Sequence, residues 1–512
     1  MAEILTDLDS LAIAILEVDE NVKDYLDVAV ILELLGVTKD TARRYGCDDI
    51  FDLARTVFEA VKYYQLKDES SGVKRKSRLE SIIEAIKLFA GGVTLSSPWL
   101  AVILAYIIFK VSLLPAQETP LASTSINLAL VFSIINTSWI SPIFMRKLFY
   151  FMYQRNYSAV RKILMVYFTF GFLVTILAAG ISIVLVRALG IYPDWWSAYF
   201  MTFFVTLSLL WLTTAPLYAL RLYIPLIFTY ISSLSIIGVS YGMMEMLQQR
   251  YMAHIYGIIS GSFMAVIYLA IYLYLRSRFK PQIHEGVKVR FSFMLYLGIP
   301  YAIVNLLYFI FIFIDRLLVW YVQAPYPFIV DLFYEKPASL SLLTITVPFG
   351  VMNYYVNKFY RSASAGERRF NSFQIDEYCR SMRRVYLEMH ASILASGILF
   401  QIILYHLLQG FLIKDETWIF MYLSLGHVFL AMIISNILLF LYMHRPAKSI
   451  PPLLLGILVN FILGVSFMRM WGMKYAVSLG YMIASIVTAI LLAAISLRTI
   501  IKNADYYYYS AF

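Results

Sequence analysis

Charge is what this chain has little of. Only 14% of its 512 residues are Asp, Glu, Lys or Arg, against roughly 25% in soluble domains. With 61% hydrophobic residues and a mean hydropathy of +0.73, a soluble fold is excluded. Cysteine is nearly missing: Cys47 and Cys379 rule out a disulfide framework and are expected as reduced thiols in cytoplasmic segments. The short signatures of chemistry are missing too. No G-x-x-x-x-G-K-[ST] run is present, so ATP hydrolysis by this chain is not expected; no H-E-x-x-H or paired-cysteine spacing offers a metal site. Carboxylates inside apolar runs are few, namely Glu245, Glu388 and Asp315. Sugar or phosphate chemistry would need several clustered acids or a metal, so no catalytic residue, cofactor or metal is assigned.

What remains is apolar and helical. Spans of about 20 residues cross a bilayer as helices, and alternating strand patterns of a barrel do not occur. Twelve spans are expected near 92–114, 121–144, 163–185, 198–220, 223–247, 251–275, 291–314, 339–356, 386–408, 418–443, 451–470 and 475–497. The formal charge of +10 sits in short connectors, around Arg146–Lys162, Arg276–Arg290, Lys358–Arg384 and Arg445–Lys448. That placement follows the positive-inside rule and needs no nucleic-acid partner. Connectors 115–120, 190–197, 248–250 and 410–417 are poor in Lys and Arg, so both termini are expected in the cytoplasm of a multi-pass membrane protein, with membrane lipids as surroundings. Tyr192, Trp195 and Trp196 read as interface anchors. The inner loop 276–290 divides the spans six and six.

Residues 1–67 differ. Acids are spread through them, and apolar positions recur at helical spacing: Leu8, Leu11, Ile15, then Val22, Leu26, Val30, Leu34. Gly36 and Gly46 are placed to end helices, Thr38 to cap one, and Asp48 or Asp49 to cap the next towards Gln65. A cytosolic bundle of about four short helices is expected. A domain that small buries a limited fraction of its surface, so it either docks elsewhere or is an inert appendage. Residues 68–91 read as a linker and a basic amphipathic stretch suited to a membrane surface. Lobes of six helices are expected over 92–275 and 291–501, with a cytosolic tail at 502–512.

Several patterns have a plain reading. Gly238-Val239-Ser240-Tyr241-Gly242 matches a nucleophile elbow, but within a span small residues serve close helix packing, as at Gly257 and Gly261. His390, His406 and His427 are read as packed or interfacial. Pro142, Pro216, Pro225 and Pro348 free backbone carbonyls. The apolar run from Phe291 is interrupted lightly by Ser292 and Asn305 and closed by Asp315-Arg316. Such a pair either carries function, because charge near hydrocarbon costs about 3 kcal/mol, or marks the membrane edge by snorkelling.

Three patches carry a family resemblance. Leu88-Phe89-Ala90-Gly91-Gly92-Val93-Thr94-Leu95-Ser96-Ser97-Pro98-Trp99 is similar to the opening of the first span in PelG-type proteins, without their glycine between Ser97 and Pro98. Phe313-Ile314-Asp315-Arg316-Leu317-Leu318-Val319-Trp320 resembles the end of their seventh span. Ser341 to Pro348, continuing to Phe359-Tyr360-Arg361, resembles their eighth, where an acid usual before the Phe-Tyr pair is replaced by Val356-Asn357-Lys358.

The resemblance implies an all-α, MATE/MOP-like polytopic membrane protein: a member of the multidrug/oligosaccharidyl-lipid/polysaccharide exporter superfamily, with two lobes around a cavity. It implies export of an exopolysaccharide or lipid-linked glycan by alternating access, beside a cytosolic glycosyltransferase and other Pel-type subunits. Candidate transport or gating residues are Ser97, Pro98, Trp99, Asp315, Arg316, Trp320, Asp331, Glu335, Tyr360 and Arg361. Asp315, Asp331 and Glu335 are expected as an acidic rim for a cationic polymer. A drug-type exporter, a membrane scaffold and an enzyme of envelope glycan synthesis are the alternatives.

Overall fold

The computed structural model describes residues 8–18, 22, 24–70, 78–96, 100–101, 103, 105, 113–115, 119–246, 249–279, 291–321, 326–369, 374–471 and 475–498. Among them the chain is helical. Helices α1 Leu8–Val18, α2 Tyr25–Leu34, α3 Lys39–Arg44, α4 Ile50–Ser70 and α5 Arg78–Val93 come first. They are followed by α6 Pro120–Ser138, α7 Ile140–Tyr153, α8 Tyr157–Ala188, α9 Asp194–Ala219, α10 Tyr223–Met246 and α11 Arg250–Phe279. The later helices are α12 Phe291–Trp320, α13 Leu332–Ser341, α14 Thr346–Arg369, α15 Ile375–Leu408, α16 Lys414–Tyr442, α17 Ile450–Trp471 and α18 Ala476–Ser496. Two compact units result: Met1–Ile83 with Phe144–Thr169 and Ile267–Tyr296, and Glu84–Ile143 with Phe170–Val266 and Leu297–Phe512.

In the first unit α1, α2, α3 and α4 pack around one core. Leu11, Ile15, Val28, Leu32, Leu53, Val57 and Val61 share its core, each contributing about 1.5–3 kcal/mol by burial. Local signals fix the ends. Asp24 caps α2 through the Asp27 N–H at 2.9 Å, and Asp49 takes the Asp52 N–H at 2.8 Å. Gly36 sits at φ +81° after α2, where glycine avoids the steric cost of other residues. Thr38 stands at the start of α3 but makes no cap; its hydroxyl lies 3.2 Å from that of Thr41. Helix α4 runs on to Ser70, so Asp68-Glu69-Ser70 is helix rather than linker. Gln154, at the end of α7, donates its Nε2 to the Leu34 carbonyl at 3.2 Å, so the bundle is docked on the membrane-borne part of its own unit.

Eleven helices among the described residues are long and apolar enough to cross a membrane, and each matches an expected span. The twelfth expectation, 92–114, falls mostly outside the described residues. Two spans differ in detail. The second breaks at Trp139, and α7 continues to Tyr153. The eighth begins earlier, at Leu332, and passes through a 3-10 turn at Leu342–Ile345 before α14.

Small residues set the close contacts of the second unit. A Cβ on Gly257 would lie 2.7 Å from the Ser233 carbonyl oxygen, and the Ser233 hydroxyl donates to the Gly257 carbonyl at 2.8 Å. Ser240 lies inside α10 and bonds back to the Ile236 carbonyl at 2.6 Å, which excludes an elbow. His390 and His427 are buried and His406 is exposed. Trp195 is 45% exposed, as an anchor should be, but Trp196 is 3% exposed and belongs to the core.

Candidate functional site

Helix α12 does not stop at Asp315-Arg316. It carries the pair inward and continues to Trp320. Asp315 is 2% and Arg316 6% exposed. Snorkelling into headgroups is therefore excluded for this pair; its partners are protein.

Those partners come from α13, whose start is set by Asp331. The Asp331 carboxylate accepts the N–H groups of Phe333 and Tyr334 at 3.1 and 3.4 Å. The cap fixes the first turn, and that turn delivers two side chains to α12. The Tyr334 hydroxyl donates to Asp315 Oδ2 at 2.7 Å. Glu335 forms an ion pair with Arg316 and accepts from the Ser339 hydroxyl at 3.1 Å. The Arg316 guanidinium also lies over the Phe313 ring, 5.8 Å from its centroid. One residue further, Lys336 donates to Glu416 at 2.8 Å. Glu416 takes the Ile413 N–H at 3.1 Å and so closes the start of α16. A chain of charge-assisted bonds thus ties α12, α13 and α16 together.

Burying these ions costs several kcal/mol each unless they are paired and bonded, which explains the number of donors gathered here. The match is incomplete. Asp315 Oδ1, Glu335 Oε2 and Trp320 Nε1 have no hydrogen-bond partner among the described residues. Two carboxyl groups are buried beside one guanidinium: Glu335 is paired with it, and Asp315 is bonded by the Tyr334 hydroxyl. No nucleophile–base pair is present in it, and among the described residues no three His, Cys, Asp or Glu side chains gather as a metal site.

Of the residues singled out in the sequence, Asp315, Arg316, Asp331 and Glu335 come together here, with Trp320 one turn beyond the pair on α12 and buried at 1% exposure. They do not make an open acidic rim: Asp315 and Glu335 are withdrawn into the protein, and Asp331 is occupied as a cap. Tyr360 and Arg361 act elsewhere. Tyr360 stacks on Tyr442 at 4.0 Å and donates to the Leu438 carbonyl at 3.3 Å. Arg361 pairs with Glu84 of α5 at 2.5 Å. Ser97, Pro98 and Trp99 lie outside the described residues. Sequence reasoning missed Tyr334, Lys336 and Glu416. The available signal was Tyr334-Glu335-Lys336 placed just after a capping Asp331.

The two halves of the second unit also meet. Asn305 of α12 donates to the Ser138 carbonyl at 2.8 Å. Asn353 of α14 donates to the Leu88 carbonyl at 2.6 Å. The Val330 N–H donates to Thr124 at 2.9 Å. Gly92 lies against the backbone of Phe349 and Gly350.

With this geometry in hand, the comparisons are informative. Residues 73–509 match the family model of PelG, described as "Putative exopolysaccharide Exporter (EPS-E)". No curated protein matches the chain. Among solved structures, the eukaryotic MATE transporter AtDTX14 superposes with a TM-score of 0.56 at 14% identity, over 84% of this chain and 99% of that one. A MATE protein in complex with Br-NRF gives a TM-score of 0.50 at 14% identity, over 81% and 96%. An outward-facing multidrug resistance MATE family transporter of the MOP superfamily gives 0.50 at 11% identity, over 82% and 95%. At these identities the superpositions establish the fold, which is MATE-like.

Proposed function

Since the chain belongs to the PelG family of exopolysaccharide exporters, we propose that it moves an exopolysaccharide, or a glycan on a lipid carrier, outward across the inner membrane by alternating access. Family and fold make it a multi-pass membrane exporter and point to transport rather than catalysis. The cargo, the membrane and the direction are our reading. The observation that carries it is the family match over residues 73–509.

The site supports the reading mechanically. Alternating access needs lobes that move as bodies and a seam between them that parts. The Asp315–Glu335 cluster stiffens one body by ionic bonds, and broken buried pairs are costly. Contacts between the halves among the described residues include single hydrogen bonds, each worth about 0.5–1.5 kcal/mol net, and the solvent-facing Arg361–Glu84 pair, of similarly small worth. The basic connectors favour a cytoplasmic side for both termini. A cytosolic glycosyltransferase would deliver polymer at that end, with the Met1–Lys67 bundle available to it. The resemblance likewise supplies other Pel-type subunits as partners.

The test is made in cells that synthesise the polymer but lack their own copy of the chain. Restoring it should raise extracellular polymer and lower the polymer held inside. Equal extracellular polymer with and without the chain would overturn the proposal.

A further inference from the structure

Five aromatic rings stand in one column. Tyr326, Tyr192, Trp196, Phe200 and Phe204 follow one another at centroid spacings of 5.5, 4.0, 5.4 and 5.6 Å. Their interplanar angles are 8, 5, 7 and 14°. The lower three sit four residues apart on α9 and are buried. That is core packing of a helix face. The upper two are of another kind, because neither belongs to a helix.

Tyr192 lies in the connector between α8 and α9 and Tyr326 in the connector between α12 and α13, both half-buried. The Tyr192 hydroxyl donates to the Phe328 carbonyl at 2.9 Å and accepts the Phe328 N–H at 3.0 Å. The second connector is closed on itself by an antiparallel bridge from Tyr321 to Phe328 and by the Ile329 N–H on the Trp320 carbonyl at 2.8 Å. Among the described residues, the Tyr326 ring face, the Phe328 main chain on the Tyr192 hydroxyl and the Val330 N–H on Thr124 at 2.9 Å hold it to the first half.

The geometry points to a sugar-stacking platform: Tyr192 backed by Trp196 takes a pyranose ring of the cargo, and Tyr326 covers that face while the connectors are clasped. This inference rests on the exporter reading. A pyranose presents a flat face of C–H bonds and hydroxyls at its edge. Tyr192 offers the matching pair of features. Its ring is flat and pinned on one side, which limits the ordering cost of binding. Its hydroxyl is engaged by one N–H and one C=O, the donor and acceptor that a sugar hydroxyl would supply in their place. Trp196, 3% exposed, keeps an Nε1 with no partner among the described residues at the foot of the platform. The clasp joins a connector of the first half to a connector of the second, so parting of the two connectors uncovers the Tyr192 face.

The experiment uses the purified full chain and calorimetric titration with two probes, cellohexaose and the cationic chitosan hexamer. Tyr326→Ala uncovers the platform and should bind at least one probe about tenfold tighter than the unchanged chain. Adding Tyr192→Ala should abolish that gain. If Tyr326→Ala does not fold, Tyr326→Ser serves in its place. No gain with Tyr326 replaced, or a gain that survives Tyr192→Ala, overturns the inference. Binding is read on isolated protein, so either result leaves the export test in cells independent.

Discussion

Asn305 Nδ2 donates to the carbonyl of Ser138 across 2.8 Å, and Pro142 is the reason that carbonyl is available. Proline has no N–H, so the carbonyl four residues before it has no helical partner. Helix α6 ends at Ser138, and α12 answers with the one polar side chain in the middle of its apolar run. A carbonyl-freeing proline and a light polar interruption, far apart along the chain, thus meet in one contact.

Replacing Asn305 by Leu leaves that carbonyl buried and unbonded. The expected loss is about 1–3 kcal/mol, read as a lower thermal midpoint of the detergent-purified chain. An unchanged midpoint would mean that the bond contributes nothing.

The buried pair predicts a coupling. Arg316→Met alone strands Glu335 and should cost about 3–5 kcal/mol. Arg316→Met with Glu335→Gln removes both charges and should recover much of that loss. A double-mutant cycle of thermal stabilities measures the coupling; strict additivity would contradict the assigned pair.

Two glycines should behave oppositely. A Cβ at Gly92 would overlap the Phe349 carbonyl and come 2.7 Å from the Gly350 Cα, so Gly92→Ala should lower stability and secretion. A Cβ at Gly180 meets nothing within 4 Å. Gly180→Ala should hold or raise stability by up to about 1 kcal/mol through helix propensity. Thermal melts of the two variants side by side decide it.

Deletion of Met1–Lys67 separates exporter from scaffold. An exporter should retain part of its polymer secretion, since the transport helices lie beyond the deletion. Complete loss, with the truncated chain still present in the membrane at normal amount, would favour a scaffold.

How much could be read from the chain alone differs from residue to residue. The spans and the small-residue contact at Gly257 follow from hydropathy and spacing, and the bundle helices from their apolar spacing, Asp49 and Gly36, whereas the Asp24 cap shows only in the structure. Asp315-Arg316 stood out as charge in an apolar run. Tyr334 did not, and Glu335 is legible as a nearby acid but not as the partner of Arg316, because both lie 19 residues away and meet the pair only once α12 and α13 are side by side. The same charges made residues 332–338 look like loop, so the eighth span was started too late. Trp195 and Trp196 are alike in sequence, yet one faces outward and the other stacks between Tyr192 and Phe200. Adjacent positions on a helix point about 100° apart, and only neighbours decide which direction is core.

The seam between the halves has a consequence for how such sequences can diverge. At Ser138, Leu88, Phe328 and Val330 the partner offers only main-chain atoms, which every residue but proline possesses in full. Those four positions can change side chain without losing these bonds, so substitution correlated with the bonded partner should be faint there. Asp315, Arg316, Tyr334 and Glu335 recognise one another by side chain, and in related chains they should change as a set or not at all.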